Sequence, residues 1–120
     1  PHIKFTIPSG PAAGYMKIVN MGYETDRLVG IEVTFADAEL HFTEVKDGIA
    51  KMTKVDQIEL PAQKAKSLKP GYHHIMFSNF KIDLIEGMNL EGILIFEFAG
   101  QISVLFEVEK QNSNLDFTEH

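Results

Sequence analysis

Residues 39–55, ELHFTEVKDGIAKMTKV, form two alternating runs of apolar and polar residues on either side of Asp47-Gly48. An Asp-Gly pair between two such runs is the strongest short-range signal for a two-residue β-hairpin. With Asp47 and Gly48 as the turn, Lys46 pairs with Ile49, and this pairing sets the register of both strands. The stretch therefore predicts an antiparallel strand pair and an all-β chain around it.

The same alternation recurs along most of the chain and predicts further strands. The predicted strands cover residues 2–7, 13–20, 28–34, 39–46, 49–55, 57–60, 72–77, 90–98 and 103–109. Glycine, proline, asparagine and aspartate separate these segments, as expected of turns. Many short strands at this spacing are typical of a β-sandwich or barrel with Greek-key connections. No long helix is expected, and residues 64–68 are expected to form at most one helical turn.

Length and composition predict one globular domain. The chain has 120 residues, of which 44% are hydrophobic and 23% charged, as in an ordinary globular protein. We expect a single β-sandwich domain at residues 1–110 and a flexible C-terminal tail at residues 111–120. A formal charge of −6 without a cluster of basic residues argues against nucleic-acid partners. No apolar run reaches transmembrane length.

The chain has no cysteine. This excludes disulfides, iron–sulfur clusters, thiol redox chemistry and C-x-x-C-H haem attachment. It also excludes a blue-copper electron-transfer site, which needs a cysteine thiolate. The chain begins at Pro1 and not at methionine. We therefore expect that an upstream segment has been removed, either by processing or by the choice of the residues expressed.

Two histidines and two methionines are the candidate metal ligands: His41, Met52, His74 and Met76. Ten residues separate His41 from Met52, twenty-one separate Met52 from His74, and one separates His74 from Met76. Thioether sulfur with imidazole nitrogen, in the absence of thiolate, suits monovalent copper because soft sulfur donors select a soft ion. Zinc or divalent copper remains an alternative at the same residues, since imidazole suits both.

Strand geometry gives two partial tests of whether these side chains converge. His74 and Met76 are two residues apart and share a strand face. Ile75 and Phe77 look like core residues, which puts His74 and Met76 on the outer or rim face. The sequence does not bring this pair together with the other two candidates.

The hairpin register relates His41 to Met52. It sets Thr43 opposite Met52 and His41 opposite Lys54, so His41 and Met52 become diagonal neighbours about 7–8 Å apart on one face. A three-residue loop would instead put His41 and Met52 on opposite faces. The pairing of these two ligands therefore depends on the predicted two-residue turn.

The ordinary interpretation of an isolated methionine is core packing, and that of an isolated histidine is surface exposure. Met16 is expected in the core, and no role is assigned to Met21, Met88, His2 or His73. No nucleophile motif such as G-x-S-x-G or H-E-x-x-H occurs, so we do not expect an enzyme. A β-sandwich interaction module without metal is the second hypothesis.

The spacing of the four candidates resembles the hallmark of the periplasmic copper chaperones called PCu(A)C: His, ten residues, Met, twenty-one residues, His, one residue, Met. The resemblance extends over about residues 12–108. The supporting segments are AAGYM at 12–16, DRLVG at 26–30, ELH at 39–41, IELPA at 58–62 and LKPG at 68–71. The chain departs from the family in carrying His73 beside His74.

The resemblance implies a cupredoxin-like Greek-key β-sandwich that binds one Cu(I) ion through His41, Met52, His74 and Met76. It implies a copper chaperone of the periplasm or another extracytoplasmic space. The implied acceptor is the copper-A centre of cytochrome c oxidase, in subunit II, and other copper chaperones are further implied partners. A general periplasmic copper buffer or resistance protein remains an alternative.

Overall fold

The computed structural model describes residues 1–111, which form ten β-strands. Within these residues there is no helix, and so none that is long and apolar enough to cross a membrane. The strands are β1 His2–Phe5, β2 Ala12–Asn20, β3 Asp26–Glu32, β4 Asp37–Lys46, β5 Ile49–Lys54, β6 Ile58–Leu60, β7 Lys64–Leu68, β8 His73–Ser78, β9 Asn89–Phe96 and β10 Gly100–Lys110. The predicted all-β class is confirmed. Apart from Gln111, the predicted flexible tail lies outside the described residues.

The strands form one continuous sheet in the order β5-β4-β8-β2-β1-β10-β9-β3-β6. β7 pairs with the second half of β2, while β8 pairs with its first half. β1 and β10 are parallel, and all other pairs are antiparallel. The sheet curls so that β3 lies near β4 and β6 lies near β2 and β7. The result is a β-sandwich, as predicted.

A single apolar core fills the space that the curled sheet encloses between its two facing layers. Ile75 and Phe77 of β8, predicted as core residues, are both fully buried. Phe77 meets Phe106 of β10 edge to face, with ring centroids 5.7 Å apart, which is a favourable aromatic geometry. Because side chains alternate along each strand, burying Ile75 and Phe77 directs His74 and Met76 away from this core.

The expectation of a helical turn at residues 64–68 is wrong. These residues form strand β7 and not a helical turn, pairing in register with β2 from Met16–Leu68 to Asn20–Lys64. Only Leu68 of this strand is buried, and the other four residues are exposed or half-buried. The segment lacks the apolar alternation that identifies a strand in sequence, so its structure depends on pairing with β2.

The β4–β5 hairpin has the predicted turn and register. Asp47 and Gly48 both have positive φ, 55° and 76°, as a two-residue type I′ turn requires. Lys46 pairs with Ile49, and the register continues to Thr43 opposite Met52 and His41 opposite Lys54. The three-residue alternative is therefore excluded.

Candidate metal centre

The pairing of β4 with β8 brings the two halves of the candidate ligand set together. His41 of β4 lies directly opposite His74 of β8, and their ring centroids are 6.0 Å apart. The chain between these two strands contains β5, β6 and β7. This long-range contact could not be derived from alternation or turn chemistry.

All four candidate side chains lie on the outer face of the sheet. Residues directly opposite each other in an antiparallel ladder point to the same side. Met52 lies opposite Thr43, which shares a face of β4 with His41, while Met76 lies opposite Glu39, two residues before His41. The four side chains therefore extend from one face across three adjacent strands, β5, β4 and β8.

The candidate ligands differ widely in exposure. Met52 is 55% exposed on the edge strand, whereas His74 is only 2% exposed. The expected outer face is correct for His74, but the residue is buried there. On one side of His74 lies Tyr15, with the two ring centroids 6.3 Å apart, and on the other side lies His41. The centre therefore has an enclosed histidine and an accessible thioether.

The hydrogen bonds of His41 leave one ring nitrogen free. Its Nε2 lies 3.1 Å from Oε1 of Glu39 and donates to that carboxylate. Its Nδ1 is buried and has no hydrogen-bond partner among the residues that the structure describes. A neutral imidazole that donates from Nε2 carries its lone pair on Nδ1.

His74 shows the complementary arrangement. Its Nδ1 donates to the backbone oxygen of Tyr72 at 3.1 Å, so the lone pair lies on Nε2. This Nε2 is also buried, with no partner within residues 1–111. When both rings are neutral, the two neighbouring imidazoles therefore each present a ring nitrogen with a lone pair and no hydrogen-bond donor from residues 1–111.

The surroundings of His74 favour its neutral form. Burial lowers the pKa of His74 below its ordinary value, and the neighbouring His41 lowers it further, while the hydrogen bond to Tyr72 acts in the opposite direction. The pKa of Glu39 is lowered by hydrogen bonds from His41 and Lys54. An ionised Glu39 accepts the Nε2 proton of His41, which is the outer partner that metal-ligating histidines usually have.

The remaining histidine and methionines near the motif have other surroundings. His73 points to the face opposite His74 and packs on Phe42, with ring centroids 4.7 Å apart. Met16 is buried in the core, as expected. Met88 packs against the core and accepts a hydrogen bond from the Ile85 amide.

Sequence reasoning did not assign a role to Glu39, although its position two residues before His41 places both on one strand face. It also missed the cluster of His2, Glu107 and Glu109, whose ligand atoms lie within 4.8 Å of one another. His2 Nδ1 lies 2.9 Å from Glu109, and Lys4 Nζ lies 3.8 Å from it. We interpret this cluster as an exposed ion-pair network, because its side chains are largely exposed and Lys4 already supplies a positive charge beside Glu109.

These observations define an all-β sandwich protein with two imidazoles and two thioethers gathered on one outer sheet face. Residues 1–108 match the family model "Putative lipoprotein LpqE-like". The chain therefore belongs to the LpqE-like family, which is the PCuAC family that its sequence resembles. Among curated proteins, none matches the chain.

Solved PCuAC domains share this fold. The copper-bound PCuAC domain from PmoF2 superposes with a TM-score of 0.76 at 24% identity, covering 92% of this chain and 88% of that one. The apo PCuAC domain from PmoF1 gives 0.73 at 25% identity, with coverage of 92% and 91%. The solution structure of CuI-DR1885 from Deinococcus radiodurans gives 0.74 at 24% identity, with coverage of 92% and 75%.

Proposed function

We propose that this protein binds one Cu(I) ion through His41, Met52, His74 and Met76 and carries it as an extracytoplasmic copper chaperone. The observation that carries the proposal is the pair of buried nitrogens, Nδ1 of His41 and Nε2 of His74, that have no hydrogen-bond partner within the described chain. Buried polar groups in native proteins nearly always have partners. A metal ion is a partner that accepts both lone pairs at once.

The donor set favours monovalent copper over harder ions. Two neutral thioethers provide soft sulfur, and two neutral imidazoles provide nitrogen without adding charge. Membership of the PCuAC family supports this choice, as do the copper-bound PmoF2 domain and CuI-DR1885. The family description as a lipoprotein supports a location outside the cytoplasm.

Carriage requires a site from which the ion can leave. Met52 is more than half exposed and lies on the edge strand, so an acceptor ligand can replace its sulfur first. His41 and His74 are more enclosed and would hold the ion until the acceptor has bound it. Sequential replacement of ligands moves Cu(I) without any change of oxidation state.

A Cu(I) titration against a chromogenic chelator tests the ligand set. The wild-type protein is expected to bind one equivalent, and the Met52→Leu/Met76→Leu variant is expected to bind at least about tenfold more weakly, a loss of about 1.4 kcal/mol. Leucine conserves methionine's volume, so the fold is retained. Met21→Leu/Met88→Leu is the matched control with wild-type affinity. Equal binding by both double variants would contradict the proposed site.

The acceptor is a separate part of the proposal. From the family resemblance we infer that copper passes to the copper-A centre of cytochrome c oxidase. Mixing the loaded protein with the copper-free soluble domain of subunit II, then separating the two, tests this directly. Copper in the subunit II fraction is the expected result. Retention by the chaperone, despite a competent receiving site, would instead support the copper-buffer alternative.

A further inference from the structure

The chain passes from β7 to β8 through the four residues Lys69-Pro70-Gly71-Tyr72. The Tyr72 amide donates to the Lys69 carbonyl at 3.1 Å, which closes a β-turn. The proline ring holds the φ of Pro70 at about −65°. Gly71 has a φ of +84°. A negative φ followed by a positive one defines a type II turn, which favours glycine at the third position.

The carbonyl of Tyr72 is not used to close this turn. In a regular two-residue hairpin the two residues that flank the turn exchange both of their N–H···O bonds. Here the Lys69 amide donates instead to the carbonyl of His73, at 3.1 Å and one residue beyond Tyr72. An offset of this kind is typical of a β-bulge that begins at a glycine of positive φ.

The Tyr72 carbonyl instead bonds to the candidate copper centre. It accepts a hydrogen bond from the amide of Thr43 at 3.1 Å and one from Nδ1 of His74, also at 3.1 Å. Thr43 is buried on β4, two residues after His41 and directly opposite Met52. One carbonyl oxygen therefore joins the ring of one candidate ligand to the strand that carries another.

We infer that Gly71 is a positioning residue of the copper centre and acts on His74 through the Tyr72 carbonyl. The positive φ of Gly71 sets the direction in which the chain enters Tyr72, and so where this carbonyl lies. A carbonyl oxygen can only accept a hydrogen bond, so it selects the His74 tautomer with the proton on Nδ1 and the lone pair on Nε2. This inference rests on the proposed function and adds the turn that prepares one ligand for the ion.

Two glycines with nearly the same backbone conformation allow a matched test. The φ of Gly71 is +84° and that of Gly100 is +80°, and a Cβ at either position would meet no atom of residues 1–111 within 4 Å. Alanine at either position therefore introduces backbone strain without a clash. Gly100 begins β10, which β2 and β1 separate from β8 in the sheet.

Chelator competition compares the Cu(I) affinities of Gly71→Ala and Gly100→Ala. Both variants are expected to unfold at a lower denaturant concentration than the wild type, by similar amounts, because the strain is similar. Gly71→Ala is expected to bind Cu(I) about 10–100-fold more weakly, the usual result of losing an outer partner of a ligating histidine. Gly100→Ala should bind as the wild type does. Gly71→Asn should recover most of the affinity, because asparagine tolerates positive φ better than alanine.

The ring nitrogens of His74 report on the turn without copper. Nitrogen-15 NMR at alkaline pH distinguishes a protonated ring nitrogen from one that carries a lone pair. The copper-free wild type should hold the His74 proton on Nδ1, whereas Gly71→Ala should shift part of the population to the tautomer protonated on Nε2. Gly100→Ala should leave the His74 signals unchanged.

The outcomes separate this inference from the proposed function. Absence of Cu(I) binding by the wild type would overturn both. Normal wild-type binding with equal affinities in Gly71→Ala and Gly100→Ala would overturn the positioning role alone. A wild-type His74 protonated on Nε2 would do the same, and so would weaker binding by Gly71→Ala without any change of tautomer.

Discussion

Nδ1 of His41 and Nε2 of His74 are free because the opposite nitrogen of each ring is already engaged. Glu39 binds Nε2 of His41, and the Tyr72 carbonyl binds Nδ1 of His74. A buried polar group without a hydrogen-bond partner lowers the free energy of unfolding by about 1–3 kcal/mol. Two such groups side by side therefore destabilise the copper-free protein. The hydrogen bonds fix each tautomer before any ion arrives, which prepares both lone pairs for binding.

Replacing Glu39 tests whether its carboxylate fixes the His41 tautomer. Glu39→Ala is expected to weaken Cu(I) binding by about 10–100-fold, the usual cost of losing an outer partner of a ligating histidine. Folding stability should change little, because Glu39 is exposed. Chelator competition measures the affinity, and Glu44→Ala on the other face of β4 is the control. Unchanged affinity in Glu39→Ala would show that the carboxylate does not act on the site.

The lowered pKa of His74 predicts that the copper-free protein loses stability in acid. In the unfolded chain the pKa of a histidine is about 6.5. In the folded protein the pKa of His74 is lower because the residue is buried. Between these two values the unfolded state binds more protons, so stability is complete above the unfolded pKa and falls as pH decreases towards the folded one. Denaturant unfolding between pH 7.5 and pH 5 measures the decline.

His73 acts in the same direction, since burial also lowers its pKa, with Lys66 and His74 as smaller causes. The His73→Asn/His74→Asn variant should therefore show a flatter dependence of stability on pH than the wild type. Each single variant should lie between the two. An unchanged decline in the double variant would assign the acid sensitivity to other groups.

At the level of elements, the β4–β5 hairpin can be predicted because its turn residues are local in the sequence. The rest of the site cannot, because its strands are far apart in the sequence. The Asp47-Gly48 turn determines the register of its own two strands, so Met52 and His41 were correctly related. The β4–β8 pairing joins strands separated by β5, β6 and β7, and no local signal encodes it. The parallel pairing of β1 with β10 brings His2 beside Glu107. This pairing also joins strands that are far apart in the sequence, so no local signal predicts it.

Gly14 is required where β2 packs beside β8. A Cβ at this position would lie 2.8 Å from Cε2 of Phe77 and 3.2 Å from Cβ of Ile75. Gly14→Ala is therefore expected to lower the free energy of unfolding by about 1–3 kcal/mol through overpacking. At Gly30 the nearest atom would lie at 3.5 Å, an ordinary contact. Gly30→Ala is the control, and thermal unfolding of both variants is the measurement.

The two glycine variants differ only in the space around the new methyl group. A smaller loss in Gly14→Ala than in Gly30→Ala would show that the interior moves to accept the methyl group. Because Phe77 lies on β8, next to Met76 on the chain, the same variant should also weaken Cu(I) binding. Gly30 is on β3, away from the candidate ligands, so its variant should bind copper normally.

At the scale of the whole molecule, the candidate centre lies where the sheet is least supported. β5 is the terminal strand of the sheet, it pairs only with β4, and all six of its residues are exposed. Elements with few buried contacts open locally at low free-energy cost. An ion shared by Met52, His41 and His74 would connect this edge strand to β4 and β8.

Copper is therefore expected to slow amide hydrogen exchange in β5 and the facing part of β4 more than in β9 and β10. Ligand that binds only the closed form stabilises it by about 2.7 kcal/mol at a free concentration of 100 times Kd. In Met52→Leu the ion loses its bond to β5, so loading should still protect β8 but no longer β5. Equal protection of all strands by copper, in both proteins, would mean that the ion acts on global unfolding and does not hold the hairpin.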